Sequence, residues 1–220
     1  MNTAVGYGFH GDKYEDGAEH VFRQNQVYSH LGYGARNWEI YGRIGGADLK
    51  FSDAFRSTQA ATAVSKNDFD DRFKIFGTLG AKGFYPFNKT FGLGAFLQGS
   101  YYFQDFKDHA AGSRNGVPFS AEVKLKDLWD VNFGVGFQAT VPKDIRLYAG
   151  PYIYYSEARI SSSPNIPGLE FPADDGRIKS KASAGGFAGI DIPLLRGFRL
   201  NIEGQFSERL SAGAAISFSY

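Results

Sequence analysis

Histidine and carboxylate side chains gather in the first polar segment of the chain, GDKYEDGAEH (residues 11–20). His10 and His20 flank four acidic residues: Asp12, Glu15, Asp16 and Glu19. A histidine oriented by a carboxylate can act as a general base and activate water or a hydroxyl group. These residues are close only in sequence, and no distinctive motif surrounds them, so a solvated loop accounts for the same composition. A hydrolase site at this segment is the alternative hypothesis, and we predict no catalytic residue.

Two acidic clusters could supply oxygen ligands to a divalent cation. They are KNDFDD, with Asp68, Asp70 and Asp71, and PADDG, with Asp174 and Asp175. Such ligands suit calcium, but the spacing of an EF-hand loop is absent from the sequence. GLGAFL and GVGF place glycines at alternate positions of a strand, which differs from a phosphate-binding loop or a dinucleotide fingerprint. We predict no metal site and no cofactor.

Length and composition limit the fold and the classes of partner. The 220 residues suit one domain, 1–220, and include 28 Gly, 21 Phe and 13 Tyr but no Cys, which excludes disulfides. A formal net charge of +1 gives no bulk attraction to nucleic acid. The chain has no run of the roughly 18 to 20 apolar residues that a membrane helix needs. Because MNTAVGYGFHGDKYEDG has no basic start and no apolar core, we expect an exported, mature chain without its signal peptide.

Alternation of apolar and polar residues is the dominant pattern, and it defines the elements that would position these side chains. In WDVNFGVGFQA (129–139), the odd-numbered residues are apolar or aromatic and the even-numbered ones are polar or Gly. Such alternation is typical of half-buried β-strands. We predict ten strands, at about residues 2–10, 20–33, 38–51, 71–86, 91–106, 120–140, 145–159, 177–192, 198–207 and 211–220.

Strand and turn lengths favour a membrane barrel over a soluble sandwich or a lipocalin-like barrel, which would also alternate. Segment 129–139 has 11 residues, enough at a tilt of about 45° to cross the hydrocarbon layer. Short turns alternate with longer polar segments, as in barrels with short periplasmic turns and longer outer loops. The short turns lie near 34–37, 87–90, 141–144 and 194–197, and the longer segments near 11–20, 52–70, 107–120 and 160–177.

Aromatic residues gather toward both ends of the predicted strands. Bands of this kind mark the two membrane interfaces of a transmembrane barrel. We predict an aromatic girdle made of Trp38, Phe91 and Phe198 near the short turns and of Tyr101, Phe103, Trp129, Tyr155 and Phe206 toward the longer segments.

The polar face of the strands carries many charges, which indicates an aqueous or ion-paired lumen. By alternation, the predicted lumen charge network contains Glu39, Arg43, Lys74, Lys82, Lys124, Lys126, Asp130, Arg146, Lys179, Lys181, Asp191, Arg199 and Glu203. Side chains can fill the interior of a small barrel, so paired charges that plug the lumen are one interpretation. The other is a narrow pore with a weak preference for anions, because basic residues outnumber acidic ones.

The C-terminal segment AGAAISFSY resembles the β-signal that bacterial outer-membrane barrels present to their assembly machinery. Its alternating residues are Ala212, Ala214, Ile216, Phe218 and Tyr220. The whole pattern is similar to small outer-membrane β-barrels of the OmpA, OmpX and OmpW type, most of which have eight strands. The resemblance implies an all-β, up-and-down antiparallel transmembrane barrel with both termini periplasmic and in contact with membrane lipid and lipopolysaccharide. We expect a structural or surface-interaction role, with passage of small solutes as an additional option.

Overall fold

The computed structural model of the chain describes residues 1–15, 19–35, 37–55, 62–165, 174–180, 183–207 and 210–219. In this part of the chain, no helix is long and apolar enough to cross a membrane. The strands are β1 (Asn2–Glu15), β2 (Glu19–Ala35), β3 (Trp38–Phe51), β4 (Thr62–Val64), β5 (Phe69–Pro86), β6 (Phe91–Tyr102), β7 (Phe106–Arg114), β8 (Val117–Val141), β9 (Ile145–Asn165), β10 (Asp174–Ser180), β11 (Ser183–Pro193), β12 (Phe198–Phe206) and β13 (Leu210–Ser219).

Ten of these strands form a closed antiparallel barrel, which confirms the predicted fold class. Neighbouring strands pair in the order β1, β2, β3, β5, β6, β8, β9, β11, β12 and β13. Strand β13 closes the barrel by pairing with β1, from Asn2↔Ser219 to Gly11↔Leu210. Closure removes the unpaired strand edges, so backbone groups inside a bilayer would have partners within the protein.

Three further strands lie at the end of the barrel where the sequence predicted long loops. Strand β7 pairs with the first part of β8 through a turn at Asn115 and Gly116, both with positive φ angles (52° and 79°). Strand β4 pairs with β7, and β10 pairs with both β9 and the end of β1. Much of the polar sequence near 11–20, 107–120 and 160–177 therefore extends strands instead of forming irregular loops. Pairing with a neighbouring strand satisfies the backbone groups of these extensions. Their side chains can therefore be polar.

The outer face of the barrel is apolar over the middle of most barrel strands. Leu79 is 77% exposed and Phe137 is 66% exposed. Exposure of a surface made largely of such residues to water would be unfavourable. The same face includes Val5, Val27, Leu31, Ile40, Ile44, Leu97, Phe133, Leu147, Ile153, Ile202 and Ile216. A continuous apolar belt of this kind is what the hydrocarbon layer of a membrane requires.

Glycines on the inner face allow large aromatic rings to lie flat against neighbouring strands. The ring of Tyr41 on β3 covers Gly80 on β5, and the ring of Tyr148 on β9 covers Gly189 on β11. A methyl group at either glycine would overlap the ring that covers it. The high glycine content of the inner face thus makes room for inward aromatic side chains.

The interior at the long-loop end is filled by one apolar cluster, which we call the ceiling cluster. It contains Phe22, Ala47, Leu49, Phe51, Phe55, Phe69, Phe76, Tyr102, Phe106, Ala110, Val123, Leu125, Leu128, Ala158 and Ile178. Phe69 and Phe106 are fully buried, and the Phe69 and Phe51 rings stack at 4.9 Å. Its members come from β2, β3, β5 to β10 and the segment after β3, and their close packing leaves little room for water among them.

Two irregularities of the backbone change which residues of a strand face inward. Part of the predicted lumen charge network must therefore be corrected. At Asp127, whose φ is 51°, the pairing of β8 with β9 shifts register, so Val123 and Leu125 face inward. Lys124 and Lys126 therefore face outward, contrary to the prediction. Between β10 and β11 the alternation also changes. Ile178 and Ser180 are buried, which places Lys179 on the outer face, whereas Lys181 lies outside the described residues.

Candidate functional site

The candidate site is a polar cavity inside the barrel, with a volume of about 1050 Å³. At one end, residues of the short turns line it, including Asn88, Lys89 and Asp144. At the other end, it stops at Phe22, Phe76 and other side chains of the ceiling cluster. The cavity is therefore bordered by the short turns at one end and by the ceiling cluster at the other. Eight of the predicted lumen charges line it: Glu39, Arg43, Lys82, Asp130, Arg146, Asp191, Arg199 and Glu203.

A chain of polar contacts crosses the cavity wall from β3 to β2 and β5. Arg43 Nε donates to His30 Nδ1 at 3.4 Å, and His30 Nε2 lies 3.0 Å from Glu39 Oε1. Lys82 Nζ lies 3.2 Å from Glu39 Oε2. The Arg43 guanidinium also lies between two tyrosine rings, 4.9 Å from the centre of Tyr28 and 5.0 Å from that of Tyr41. Stacking and hydrogen bonding together fix the direction of this guanidinium.

A second charged group lies at the mouth of the cavity and involves β9, β11, β12 and the turn before β9. Arg199 Nε donates to Asp191 Oδ1 at 2.9 Å, and Arg199 Nη1 donates to Asp144 Oδ2 at 2.6 Å. Arg146 approaches the same two carboxylates at 3.9 Å and 3.6 Å. The hydrogen bond from Arg199 holds the pKa of the Asp144 carboxyl below its usual range, although partial burial opposes this shift. These ion pairs connect the β8–β9 turn to the neighbouring β11–β12 hairpin.

One lumen carboxylate, Glu203, is held by neutral donors. The Tyr148 hydroxyl donates to Glu203 Oε2 at 3.0 Å, and Gln205 Nε2 donates to Glu203 Oε1 at 3.1 Å. The Asn201 amide in turn donates to the Tyr148 hydroxyl at 2.8 Å. These neutral groups donate hydrogen bonds to the carboxylate, and its negative charge remains in the cavity.

Just below the ceiling cluster, His10 joins a hydroxyl and an amide. His10 Nδ1 lies 3.1 Å from Ser211 Oγ, and His10 Nε2 lies 3.3 Å from Gln26 Oε1. His10 is therefore inside the lumen, beside a serine on the neighbouring strand β13. The side chains of His20, Asp12, Glu15, Asp16 and Glu19 lie outside the described residues, so the predicted histidine–carboxylate pairing cannot be placed.

The remaining predicted charges have other environments. Asp130 accepts a hydrogen bond from Ser100 Oγ at 3.3 Å within the cavity. Lys74 does not line the cavity; its Nζ lies 3.1 Å from Asp71 at the long-loop end. Asp71 also accepts from the Lys107 backbone, and Asp70 pairs with Lys50 at 2.9 Å. Within the described ranges, no group of three or more His, Asp or Glu residues is placed to hold a metal ion.

The predicted aromatic residues lie on the outer face at both ends of the apolar belt. Trp38, Phe91 and Phe198 are about half exposed near the short turns, and Tyr101, Phe103 and Phe206 are similarly exposed at the other end. Trp129 and Tyr155 contact each other on adjacent strands, with ring centroids 5.4 Å apart. In β13, Ala212, Ala214 and Ile216 are exposed and Phe218 packs on Phe198, whereas Tyr220 lies outside the described residues.

Several residues that line the cavity were not predicted from the sequence. His30, Gln24 and Gln26 face inward on β2, where alternation is weak because the outward positions include Arg23 and Asn25 as well as Val27. Asp144 lies in a turn, where alternation carries no information. The ceiling cluster could have been recognised from Leu49 and Phe51, which continue the inward series of Glu39, Tyr41 and Arg43 with apolar residues.

Comparison with known proteins supports the fold alone. No family model and no curated protein sequence matches the chain. The barrel is similar to the outer membrane protease OmpT from Escherichia coli, with a TM-score of 0.52 and 10% identity over 100% of this chain and 96% of that chain. The translocator domain of the autotransporter NalP from Neisseria meningitidis gives a TM-score of 0.49 at 10% identity, over 100% of this chain and 88% of that chain. The chain therefore has the fold of a bacterial outer-membrane β-barrel.

Proposed function

We propose that the protein is a non-enzymatic outer-membrane barrel with a closed lumen, which acts as a structural and surface-interaction protein. The observation that carries this proposal is the ceiling cluster, whose buried aromatic and aliphatic side chains end the polar cavity. An ion that enters from the short turns would have to lose its hydration at this level. Transfer of a charge into an apolar layer costs several kcal/mol at least, so the cluster acts as a barrier to conduction.

The membrane placement follows from the apolar belt and its aromatic borders. We place the short turns and both ends of the barrel chain at the periplasmic side and the strand extensions outside the cell. The outward residues of β13 would be read by the assembly machinery during insertion, and the outer face would contact lipid and lipopolysaccharide. In this arrangement the blind cavity opens to the periplasm, and the β7–β8 hairpin and its neighbours form the surface available to partners.

Because the chain has no Cys, single thiols can report this orientation. Lys89→Cys places a thiol at a short turn, and Arg114→Cys places one beside the β7–β8 turn; both positions are exposed. We expect a membrane-impermeant maleimide to label Arg114→Cys on intact cells and to label Lys89→Cys only after lysis. The reverse pattern would contradict the proposed orientation.

Planar-bilayer recording tests the closed lumen. The parent protein should give no conductance at any voltage, whereas Phe69→Ala combined with Phe106→Ala should give discrete openings because it removes two rings from the ceiling cluster. The matched control is Phe133→Ala with Phe137→Ala, which removes two rings from the outer face and should stay closed. Steady conductance through the parent would refute the closed lumen and favour the narrow pore.

A hydrolase is the second candidate, and one observation favours it. Ser211, His10 and Gln26 form a hydroxyl–imidazole–amide series, in which an imidazole could take the serine proton while the amide orients it. The structural neighbour OmpT is an outer membrane protease, although the similarity concerns the fold alone. Peptide and lipopolysaccharide substrates should be offered to the parent, Ser211→Ala and His10→Ala. A rate present in the parent and lost in both variants would favour the hydrolase over our proposal.

A further inference from the structure

Two side chains of the cavity wall carry opposite charges that no ion pair neutralises. Arg43 on β3 donates from Nε to His30, and neither of its Nη atoms donates to the described part of the chain. Glu203 on β12 accepts from Tyr148 and Gln205, which are both neutral. Among the described residues, no carboxylate lies within 4 Å of the Arg43 guanidinium and no cation within 4 Å of the Glu203 carboxylate. Charges inside a membrane protein favour an ionic partner, because they are partly removed from bulk water.

The neighbouring charges of the cavity are already paired with one another. Glu39 binds His30 through Oε1 and Lys82 through Oε2, so its carboxylate is shared before it could neutralise Arg43. At the mouth of the cavity, two arginines share two aspartates. The positive charge of Arg43 and the negative charge of Glu203 are therefore left for a partner from outside the chain.

Arg43 and Glu203 lie at about the same depth in the barrel. Arg43 is five residues beyond Trp38, the first residue of β3, and Glu203 is five residues beyond Phe198, the first residue of β12. Both strands begin at short turns, so equal counts along them give similar heights. The ring of Tyr41, which stacks on the Arg43 guanidinium, interacts electrostatically with Glu203. The two unpaired charges thus face the same part of the cavity.

The distance between the two walls suits a small ligand. Strands β3 and β12 are four positions apart in the ring of ten, which places them on nearly opposite walls. Ten strands about 4.8 Å apart and tilted by about 40° enclose a barrel about 20 Å across between backbones. Extended arginine and glutamate side chains cover about half of this width. A ligand that carries a carboxylate and an ammonium group on adjacent atoms can bridge the rest with one hydrogen bond at each end.

We propose that this level of the cavity binds a small zwitterion of the α-amino acid class, with its carboxylate on the Nη groups of Arg43 and its ammonium group on Glu203. A guanidinium fork matches the two oxygens of a carboxylate, and the rings of Tyr28 and Tyr41 hold that fork in place. A free anion would neutralise Arg43 alone, and a free cation would neutralise Glu203 alone. The cavity volume of about 1050 Å³ leaves room for the side chain of the ligand.

Saturation-transfer NMR tests this site on the folded, detergent-solubilised barrel, and the result depends on neither the orientation nor the closure of the lumen. The probe is an equimolar mixture of the twenty standard amino acids, and the spectrum identifies those that bind. Calorimetry then compares the amino acid that binds best with its carboxamide, which lacks the carboxylate, and with its N-acetyl derivative, which lacks the ammonium group. We expect each derivative to bind about 10- to 100-fold more weakly, because each leaves one charged group without its partner. Acetate and methylammonium added together should bind much more weakly than the amino acid.

Two variants assign the two ends of the ligand. Arg43→Gln should bind the amino acid weakly and no longer distinguish it from the carboxamide, whereas Glu203→Gln should no longer distinguish it from the N-acetyl derivative. The matched controls Arg114→Gln and Glu122→Gln remove the same charges outside the cavity and should bind like the parent.

Three results would overturn the proposal. They are the absence of amino acid binding by the folded parent, equal affinity of the parent for the amino acid and both derivatives, and equal affinity for separate acetate and methylammonium ions. Unchanged discrimination in both folded variants would also exclude the assigned ends. If a variant does not fold, the comparison of the derivatives on the parent still decides the proposal.

Discussion

Val135 tests the central assignment of the outer face to lipid, because it lies near the middle of the apolar belt. It is six residues from Trp129 along β8 and pairs with Ala95 of β6. At about 3.3 Å per residue and a tilt of about 45°, Val135 lies about 14 Å below the girdle, close to half of a belt about 25 Å tall. An arginine at that depth costs about 2 to 4 kcal/mol. Val135→Arg should therefore lower the equilibrium constant for folding into lipid about 30- to 700-fold.

Reversible folding into lipid vesicles is measured at a series of urea concentrations, with tryptophan fluorescence as the signal. Gln138→Arg is the matched control, since it places the same side chain on the same strand but toward the polar cavity. We expect the control to change the free energy of unfolding by less than about 1 kcal/mol, as is usual for substitutions at solvated positions. If the two variants were equally stable, or if Val135→Arg folded like the parent, the lipid-facing assignment of β8 would be wrong.

Two other predictions concern the mouth and the wall of the cavity. Because Asp144 has a lowered pKa, its ion pair with Arg199 stabilises the fold above the ordinary aspartate pKa of 3.8, and this contribution disappears as pH falls through the lowered pKa. Asp144→Asn should therefore be less stable than the parent at pH 6 and should approach it in acid, as urea unfolding at several pH values would reveal; a constant difference would contradict the linkage. Gly80→Ala should destabilise the barrel by about 1 to 3 kcal/mol because its methyl group overlaps the Tyr41 ring. Gly42→Ala, whose methyl group would meet only ordinary contacts at 3.9 Å, should change stability much less in the same assay, and equal effects would argue against the ring packing.

Alternation along the chain predicted ten barrel strands, because a strand between lipid and a polar interior must present opposite chemistries to its two sides. The predicted strand 177–192 is divided in the structure into β10 and the barrel strand β11. Alternation failed where the backbone is irregular. The bulge at Asp127 inverts the facing of Lys124 and Lys126, and nothing in the local sequence KLKDLWD distinguishes a bulge from a continuous strand. Asp127 has a positive φ of 51° at this register shift, a local backbone feature that the alternation of side chains does not report.

Strand lengths and most of the ceiling cluster were also beyond the sequence pattern. The extensions of β1, β8 and β9 are rich in polar residues, which predicted loops, but hairpin pairing beyond the membrane satisfies their backbone groups without an apolar outer face. The ceiling cluster depends on contacts between distant segments, such as the stacking of Phe22 on Phe51 at 4.8 Å. Tertiary packing of this kind is not encoded in the period of any single strand.

The blind lumen is tested most directly by the reactivity of a thiol just below the ceiling cluster. Ser100→Cys places that thiol in the cavity, two residues from Tyr102 of the cluster. In vesicles with barrels inserted in one direction, Lys89→Cys and Arg114→Cys report which end faces the added reagent, a small charged methanethiosulfonate. We predict that Ser100→Cys reacts when the short turns face the reagent and stays unmodified when the long-loop end does. Equal reaction from both sides would contradict a lumen closed by the ceiling cluster.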